Sequence, residues 1–349
     1  MSTASSLQPS GAVVSPIALE TKKPEGLWTG AARRLFRNRA AVIGLAIVIG
    51  LIFMAIFAPV VAPRGFSKQI LDDQNAIPSW LPSVFTSVKA SGSDGGYANV
   101  NDAYPFGADD LGRDILSRLV WGARISLSVA FIGPLVSLTL GITLGSIAGF
   151  YGGWVDNLIM RVVDLMYAFP SLLLIILMMA FFRSNTAASQ PGTLFHVMKG
   201  IDDSFGGLFF IFIGIGITSW ETMGRLTRAQ VLSAREREYV MAAQSVGMSN
   251  RQILIRQILP NILGPLIVAE TLAIPGYIVT EAVLSFIGLG VNVPTPSWGS
   301  MISDGAKSIQ TYPNQVLFPA LMLALAMYGF NFLGDGLRDA LDPRTTKTS

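Results

Sequence analysis

The chain of 349 residues has no cysteine and a single histidine. Without cysteine there is no disulfide staple, no thiolate nucleophile and no cysteine-ligated metal, and the redox compartment is left open. The lone His196 lies between apolar runs in a Gly/Ser/Asn-rich stretch, where it reads as a loop residue rather than a ligand or base. Charge is also scarce. Asp, Glu, Lys and Arg make up 13% of the chain, against about 25% in a soluble domain. That is too little polar surface to enclose a water-soluble core. The phosphate-cradling spacing Gly-x4-Gly-Lys-Ser/Thr does not occur, and neither does His-Glu-x-x-His nor Gly-x-Ser-x-Gly. No ATP site, zinc helix or nucleophile elbow can be read here, so any energy must enter through another polypeptide.

What is present is apolar. The apolar fraction is 51% and the mean hydropathy is +0.52. Six runs stand out, at residues 40–62, 125–150, 158–182, 207–220, 262–287 and 316–333. The first, about 23 residues, crosses ~30 Å of hydrocarbon at about 1.5 Å per residue. It is too long and too far from the start for a signal peptide, and it reads as an uncleaved span with a basic flank, residues 33–62. Residues 1–32, rich in Ser, Pro, Gly and Thr, read as a disordered tail, and 344–349 as a second one. Pro265 and the pair Pro275 and Gly276 predict two breaks in the fifth run, which places it inside a bundle or beside a cavity.

Lys and Arg set the orientation. Lys22, Lys23, Arg33, Arg34, Arg37 and Arg39 precede the first run, Arg225 to Arg256 follow the fourth, and Arg338, Arg344 and Lys347 follow the sixth. The other side holds fewer cations, so both termini are expected in the cytoplasm. The net charge of +3 fits this arrangement better than a nucleic-acid partner. The outer segment 63–104 shows no packed domain in its pattern. It is a solvated loop or a contact surface for a soluble partner.

Three groups of residues could carry function. The long inner connection, residues 235–260, places Tyr239, Val240, Ala243, Val246 and Gly247 on one side of a helix with small residues at its centre. Gly247 would stop that helix. Ser249 would cap a second one carrying Ile253, Leu254 and Ile258, and Pro260 would allow a turn into the fifth span. The stretch 107–124 predicts an interfacial helix, with Ile115, Leu116, Leu119 and Val120 opposite Arg113, Asp114 and Arg118. Within the spans, Glu270 and Glu281 are eleven residues apart. At 100° per residue both face nearly the same side, about 16 Å apart along it. Asp164 sits one turn from Arg161. Each buried charge needs a partner or a wet cavity, so these acids are either structural pairs or groups facing a polar path.

The chain resembles a known family at several of these points. Met241, Ala242 and Ala243, with Gly247 and the closing Ile258, Leu259 and Pro260, resemble the EAA signature of ABC importer permeases, with Met241 where the family has Glu. The segment containing Pro105, Phe106, Gly107, Asp109, Asp110, Gly112, Arg113 and Asp114, followed by Ser117, Arg118 and Gly122 to Arg124, resembles the oligopeptide/dipeptide/nickel group, second-permease type. So do Phe169, Pro170 and Ser171, Glu281 and Ala282, residues 284–290, and Pro294, Pro296 and Trp298. The likeness covers residues 31–343 but does not explain the long outer segment. It implies an all-α membrane protein of about six transmembrane helices with the type I importer permease fold. Residues 63–124 would be an external loop with an interfacial helix, and 125–343 a core of five spans. It also implies a multi-pass protein of a bacterial or archaeal cell membrane, partnered by a homologous second permease, two ATPase subunits that bind ATP and Mg, and an extracytoplasmic substrate-binding protein. No cofactor is expected within the chain itself.

By the same resemblance, Glu238, Tyr239, Met241, Ala242, Ala243, Gly247, Ile258, Leu259 and Pro260 would couple to the ATPases. Glu270, Glu281 and Asp164 are the candidate path residues. Asp109, Gly112, Arg113, Asp114, Arg118, Pro296 and Trp298 are the candidate outer gate or binding-protein contact. The competing reading is a secondary transporter driven by an ion gradient, with Asp164, Glu270 or Glu281 as its ion site.

Overall fold

The computed structural model describes residues 27–341. Backbone polar groups find no water in a hydrocarbon layer, so apolar runs of this length close their hydrogen bonds as helices. The described residues bear this out, with helices and no named strand.

Helix α1 (Leu27–Arg37) meets α2 (Arg39–Ile56) at Asn38, whose side chain accepts from the amides of Ala40 and Ala41 at 3.0 and 3.3 Å. Residues 27–32, expected within a tail, are therefore the first turns of α1. The expectations for residues 1–26 and 344–349 lie outside the described residues. A short α3 (Ala58–Val61) ends the first hydrophobic stretch.

The outer segment has a packed centre, which its pattern did not lead one to expect. Around α4 (Leu81–Val84), Ile77, Leu81, Val88 and Ala98 are at most 2% exposed. The Ile77 amide donates to Asn99 O, and the Asn101 amide donates to Ile77 O. Beside this centre Tyr104 is fully buried, gives its hydroxyl to Asp73 at 2.8 Å and lies under the Arg64 guanidinium. The buried residues are single hydrophobes separated by turns, so no period of 2 or 3.6 announces them.

Helix α5 (Ile115–Tyr151) is 37 residues long. Asp114 caps it, accepting from the amide and hydroxyl of Ser117. The expected interfacial helix is the first part of α5, while residues 107–114 form a loop. The amphipathic reading failed because both sides are covered: Leu119 is 2% exposed, Arg118 3% and Arg113 4%.

The third run is not one straight span. Helix α6 (Gly153–Ala168) turns by 88° into α7 (Ser171–Ala187), and the turn falls at Phe169 and Pro170. Helix α8 (Leu194–Ser204) likewise meets α9 (Phe209–Arg235) at 98°. At 27 residues, α9 is far longer than the run that predicted it. Two short helices follow, α10 (Glu238–Ser245) and α11 (Asn250–Gln252), and then a π-helical turn, Ile253–Ile258. That turn feeds α12 (Leu259–Phe286), which passes through Pro265 and Pro275 without a break, contrary to expectation. Neighbouring helices tolerate such prolines when they enclose the freed backbone groups, and Pro275 is buried. Helices α13 (Trp298–Ala306) and α14 (Asn314–Leu341) complete the chain. Among the described residues, four helices are long and apolar enough to cross a membrane, and up to six spans result if each bent pair counts as one.

The bundle centres on α5 against α9. Gly141, Gly145 and Gly149 recur at every fourth residue of α5, and a Cβ on Gly145 would lie 2.4 Å from Gly224 O. Contacts define two ends. At one, Trp298 reaches Leu119 O, Asn314 reaches Phe106 O, and Gln315 reaches Asn75. At the other, Phe150 packs in one cluster with Val240, Ala243 and Ile253. Arg34 ties α1 to Ala340 O near the end of α14.

Candidate functional site

At the second end α10 forms a ledge. Val240 (0% exposed) and Ala243 (8%) point inward onto Ile253, Ile258 and Phe150. Tyr239, Met241, Ala242 and Val246 point outward, with Val246 84% exposed. The expected stripe is therefore split: Val240 and Ala243, three apart, anchor the helix, and Ala242 is the small residue left open. Gly247 ends α10 at φ +81, with its amide on Gln244 O and the next amide on Ala243 O. Nothing lies within 4 Å of a Cβ built there, so backbone conformation, not space, demands the glycine. Ser249 and Gln252 form a reciprocal capping box. No turn occurs at Pro260, since the π-helical segment joins α11 to α12 directly. Of the remaining coupling candidates, Glu238 and Pro260 are exposed, Leu259 is half-buried and Ile258 is buried.

In the middle, both acids of α12 turn to α5. Glu281, 0% exposed, accepts from Ser126 Oγ at 3.1 Å and Ser285 Oγ at 2.6 Å. Glu270 accepts from Ser137 Oγ at 3.2 Å and from the Tyr277 hydroxyl at 2.6 Å. The two serines of α5 repeat the eleven-residue spacing of the acids in the opposite chain direction, so the shared face is real. Sequence reasoning passed over Ser137 and Tyr277 and met Ser126 only as part of the resemblance that runs through residues 105–127, although the matched spacing was available. The acids differ in surroundings. Glu270 and Tyr277 line a cavity of about 310 Å³ with Ser171, Thr218, Ser219 and Thr280, whereas Glu281 lines none of the cavities described here. Asp164 pairs with Arg225 at 2.6 Å, not with its neighbour Arg161, and both side chains remain half exposed. Asp156 holds Arg228 through two N–H···O bonds. Together these pairs fix α6 against α9.

At the first end the seven outer candidates are all buried, so their side chains lie beneath the surface of the chain rather than on it. Asp109 accepts from Arg113 Nε at 2.6 Å and from the Leu111 and Arg113 amides, and lies 3.4 Å from Arg118 Nε. Gly112 has φ +70, and a Cβ there would lie 1.8 Å from Ile70 O. Trp298 donates from Nε1 to Leu119 O at 3.1 Å and from its amide to Ser126 Oγ. Its indole is enclosed within the protein, at 0% exposure. Pro296 is buried beside it. Sequence reasoning missed Asp304 and Lys307. Burial raises the Asp304 carboxyl above its ordinary value, while Arg118 and Arg113 oppose that shift.

Residues 141–347 match the family described as "Binding-protein-dependent transport system inner membrane component", and residues 26–78 match "N-terminal TM domain of oligopeptide transport permease C". The chain is 38% identical over 327 residues to the oligopeptide transport system permease protein OppC of Bacillus subtilis, covering 94% of this chain and 93% of that protein. It is 38% identical to the dipeptide transport system permease protein DppC of Alkalihalophilus pseudofirmus, covering 91% and 90%. Against OppC of Escherichia coli K12 the identity is 37%, covering 91% of each. Among solved structures, an inward-facing form of the MetNI methionine ABC transporter superposes with a TM-score of 0.50 at 18% identity. The match covers 64% of this chain and 96% of that one, and it bears on the fold alone.

Proposed function

The chain belongs to the family of binding-protein-dependent transport system inner membrane components, and from that premise we propose that it is the second permease of an ATP-driven importer of oligopeptides or dipeptides. It would share the translocation path with a homologous permease and draw its power from two ATPase subunits that carry ATP and Mg. An extracytoplasmic binding protein would deliver the substrate. Both termini and the α10 ledge would face the cytoplasm of a bacterial or archaeal cell.

One observation carries the coupling: α10 is anchored from below and open from above. Val240 and Ala243 fix it to the core, while Tyr239, Met241, Ala242 and Val246 are free for a partner. A load on this ledge passes through Ile253 and Ile258 into α12, which carries Glu270 and Glu281. Closure of the ATPases would thus move α12 as a rigid body and switch the path between two states. Glu270 is the path group this geometry favours, since it lines a hydroxyl-rich cavity and can meet a substrate ammonium. Glu281 has its hydroxyl partners and is fully buried, and serves to position α12 on α5. The ion-gradient reading has less support. Asp164 is held by Arg225 at 2.6 Å, and the relatives are transport-system permeases.

Co-purification tests the proposal. The chain is expected to bring down ATPase subunits, and Ala242→Trp, which leaves the helical backbone unstrained, is expected to release them, as is a bulky residue at Gly247. Uptake that persists without ATPase subunits and follows a proton or sodium gradient overturns it.

A further inference from the structure

The outer end contains a cavity of about 380 Å³ that the transport reading does not use. It is lined by Arg113, Arg118, Lys307, Asp304 and Ser303 under the loop from Phe286 to Thr295. Three cations and a single acid face it. Arg118 is 3% exposed, and its Nη1 has no hydrogen-bond partner. The Nη2 atoms of Arg113 and Arg118 converge on one Asp304 oxygen, at 4.0 and 3.9 Å. Those separations are too long for hydrogen bonds. Asp109 accepts from Arg113 Nε and lies 3.4 Å from Arg118 Nε, so the Nη side is left with loose partners only, Asp304 and an Asp110 oxygen 3.7 Å from Arg113 Nη2. A guanidinium that is buried and incompletely bonded favours a planar carboxylate, which two N–H groups can grip.

The floor of the cavity is closed. Ser285, in its lining, donates to the fully buried Glu281, and Trp298 beside it is fully buried. A substrate entering here would not pass on to the Glu270 cavity. The rim is fixed as well, since Arg183 donates to Gly288 O and Gly290 O and the Asn292 amide donates to Gly206 O. At the mouth Val293 is 88% exposed. This is the shape of a socket, not a way-station.

Resting on the permease reading above, we propose that this cavity receives an acidic side chain of the soluble substrate-binding partner, whose carboxylate bridges Arg113 and Arg118 beside Lys307. The buried arginines then act from beneath the surface, while Lys307 guides the acid in.

The assembled transporter, reconstituted with its binding protein, tests this. Carbodiimide joins a lysine amine to a carboxylate held against it. The expected product links Lys307 to an Asp or Glu of the binding protein and disappears in Lys307→Gln. The binding-protein concentration that half-saturates stimulated ATP hydrolysis is expected to rise about tenfold in Lys307→Glu, because like charges then meet. Arg118→Gln is expected to act in the same direction. If that variant fails to assemble, Lys307→Glu, at an exposed position, decides. A missing cross-link or an unchanged saturation curve in Lys307→Glu overturns the socket. So does a link to the second permease, or a link to the transported peptide that C-terminal amidation removes. If the unsubstituted transporter shows no stimulation by a binding protein at all, the permease reading itself falls.

Discussion

Two glutamates on one helix face have different fates because of what surrounds them. Glu281 is sealed among hydroxyls, with Ser126 and Ser285 donating to it. Replacing it by Gln puts an NH2 where an acceptor stood, so at least one hydroxyl must turn. That loss costs about 1–3 kcal/mol. Glu281→Gln is therefore expected to lower the melting temperature of the purified transporter while leaving its substrate range intact. Glu270 opens on a cavity, and Glu270→Gln is expected to reduce uptake of peptides with a free amino terminus more than uptake of their N-acetylated forms. Proteoliposome uptake of such a peptide pair measures both. Equal loss for both peptides in Glu270→Gln, or a changed substrate range in Glu281→Gln, would reverse the assignment. The eleven-residue spacing told the sequence reader that the acids share a face. It could not show that one is closed over and the other is not, because the closure comes from Trp298 and from Ser126 on α5.

At the scale of elements, the glycine rows on α5 matter more than its hydropathy. Gly141, Gly145 and Gly149 let α9 approach closely, and a Cβ on Gly145 would lie 2.8 Å from Thr227 Cβ as well as 2.4 Å from Gly224 O. Gly145→Leu must push the helices apart. It is expected to destabilise the protein by at least the ~1–3 kcal/mol of ordinary overpacking, read as a lower melting temperature in detergent. A melting temperature equal to that of the parent would show that α5 and α9 are not in contact as described. Most spans were legible from apolar run length, which is a local property. Their bends were not. Pro170 sits at an 88° turn, while Pro265 and Pro275 sit in an unbroken helix. The residue type is the same in all three cases, and burial does not separate them either, since Pro170 and Pro265 are both exposed and only Pro275 is buried. Likewise, the charges of residues 113–118 read as a wet face, because nothing local reveals that Asp304 lies beside Arg113 and Arg118 or that the Asp109–Arg113 pair is covered over. The coupling segment was half legible. The glycine stop and the serine cap follow from single residues, but which alanine faces outward depends on the core beneath.

For the whole molecule the decisive property is which end faces the cytoplasm. The packed outer segment, with the loop before α13, occupies one end, and the α10 ledge occupies the other. Basic residues crowd the α10 end, where Arg225, Arg228, Arg235, Arg237, Arg251 and Arg256 follow one another, and cations in short loops stay on the cytoplasmic side. The absence of cysteine makes the orientation directly measurable, because any thiol introduced is the only one in the chain. Ser93 and Ser245 are both exposed, at opposite ends. In a functional strain, Ser93→Cys is expected to react with a membrane-impermeant maleimide added outside the cytoplasmic membrane. Ser245→Cys is expected to react only after that membrane is opened. Binding of the ATPase subunits should then shield Ser245→Cys, which lies on the α10 ledge, and leave Ser93→Cys unchanged. Labelling in the reverse order would place the ledge outside the cell, out of reach of any nucleotide-driven subunit, and the proposed route of force into α12 would have no source.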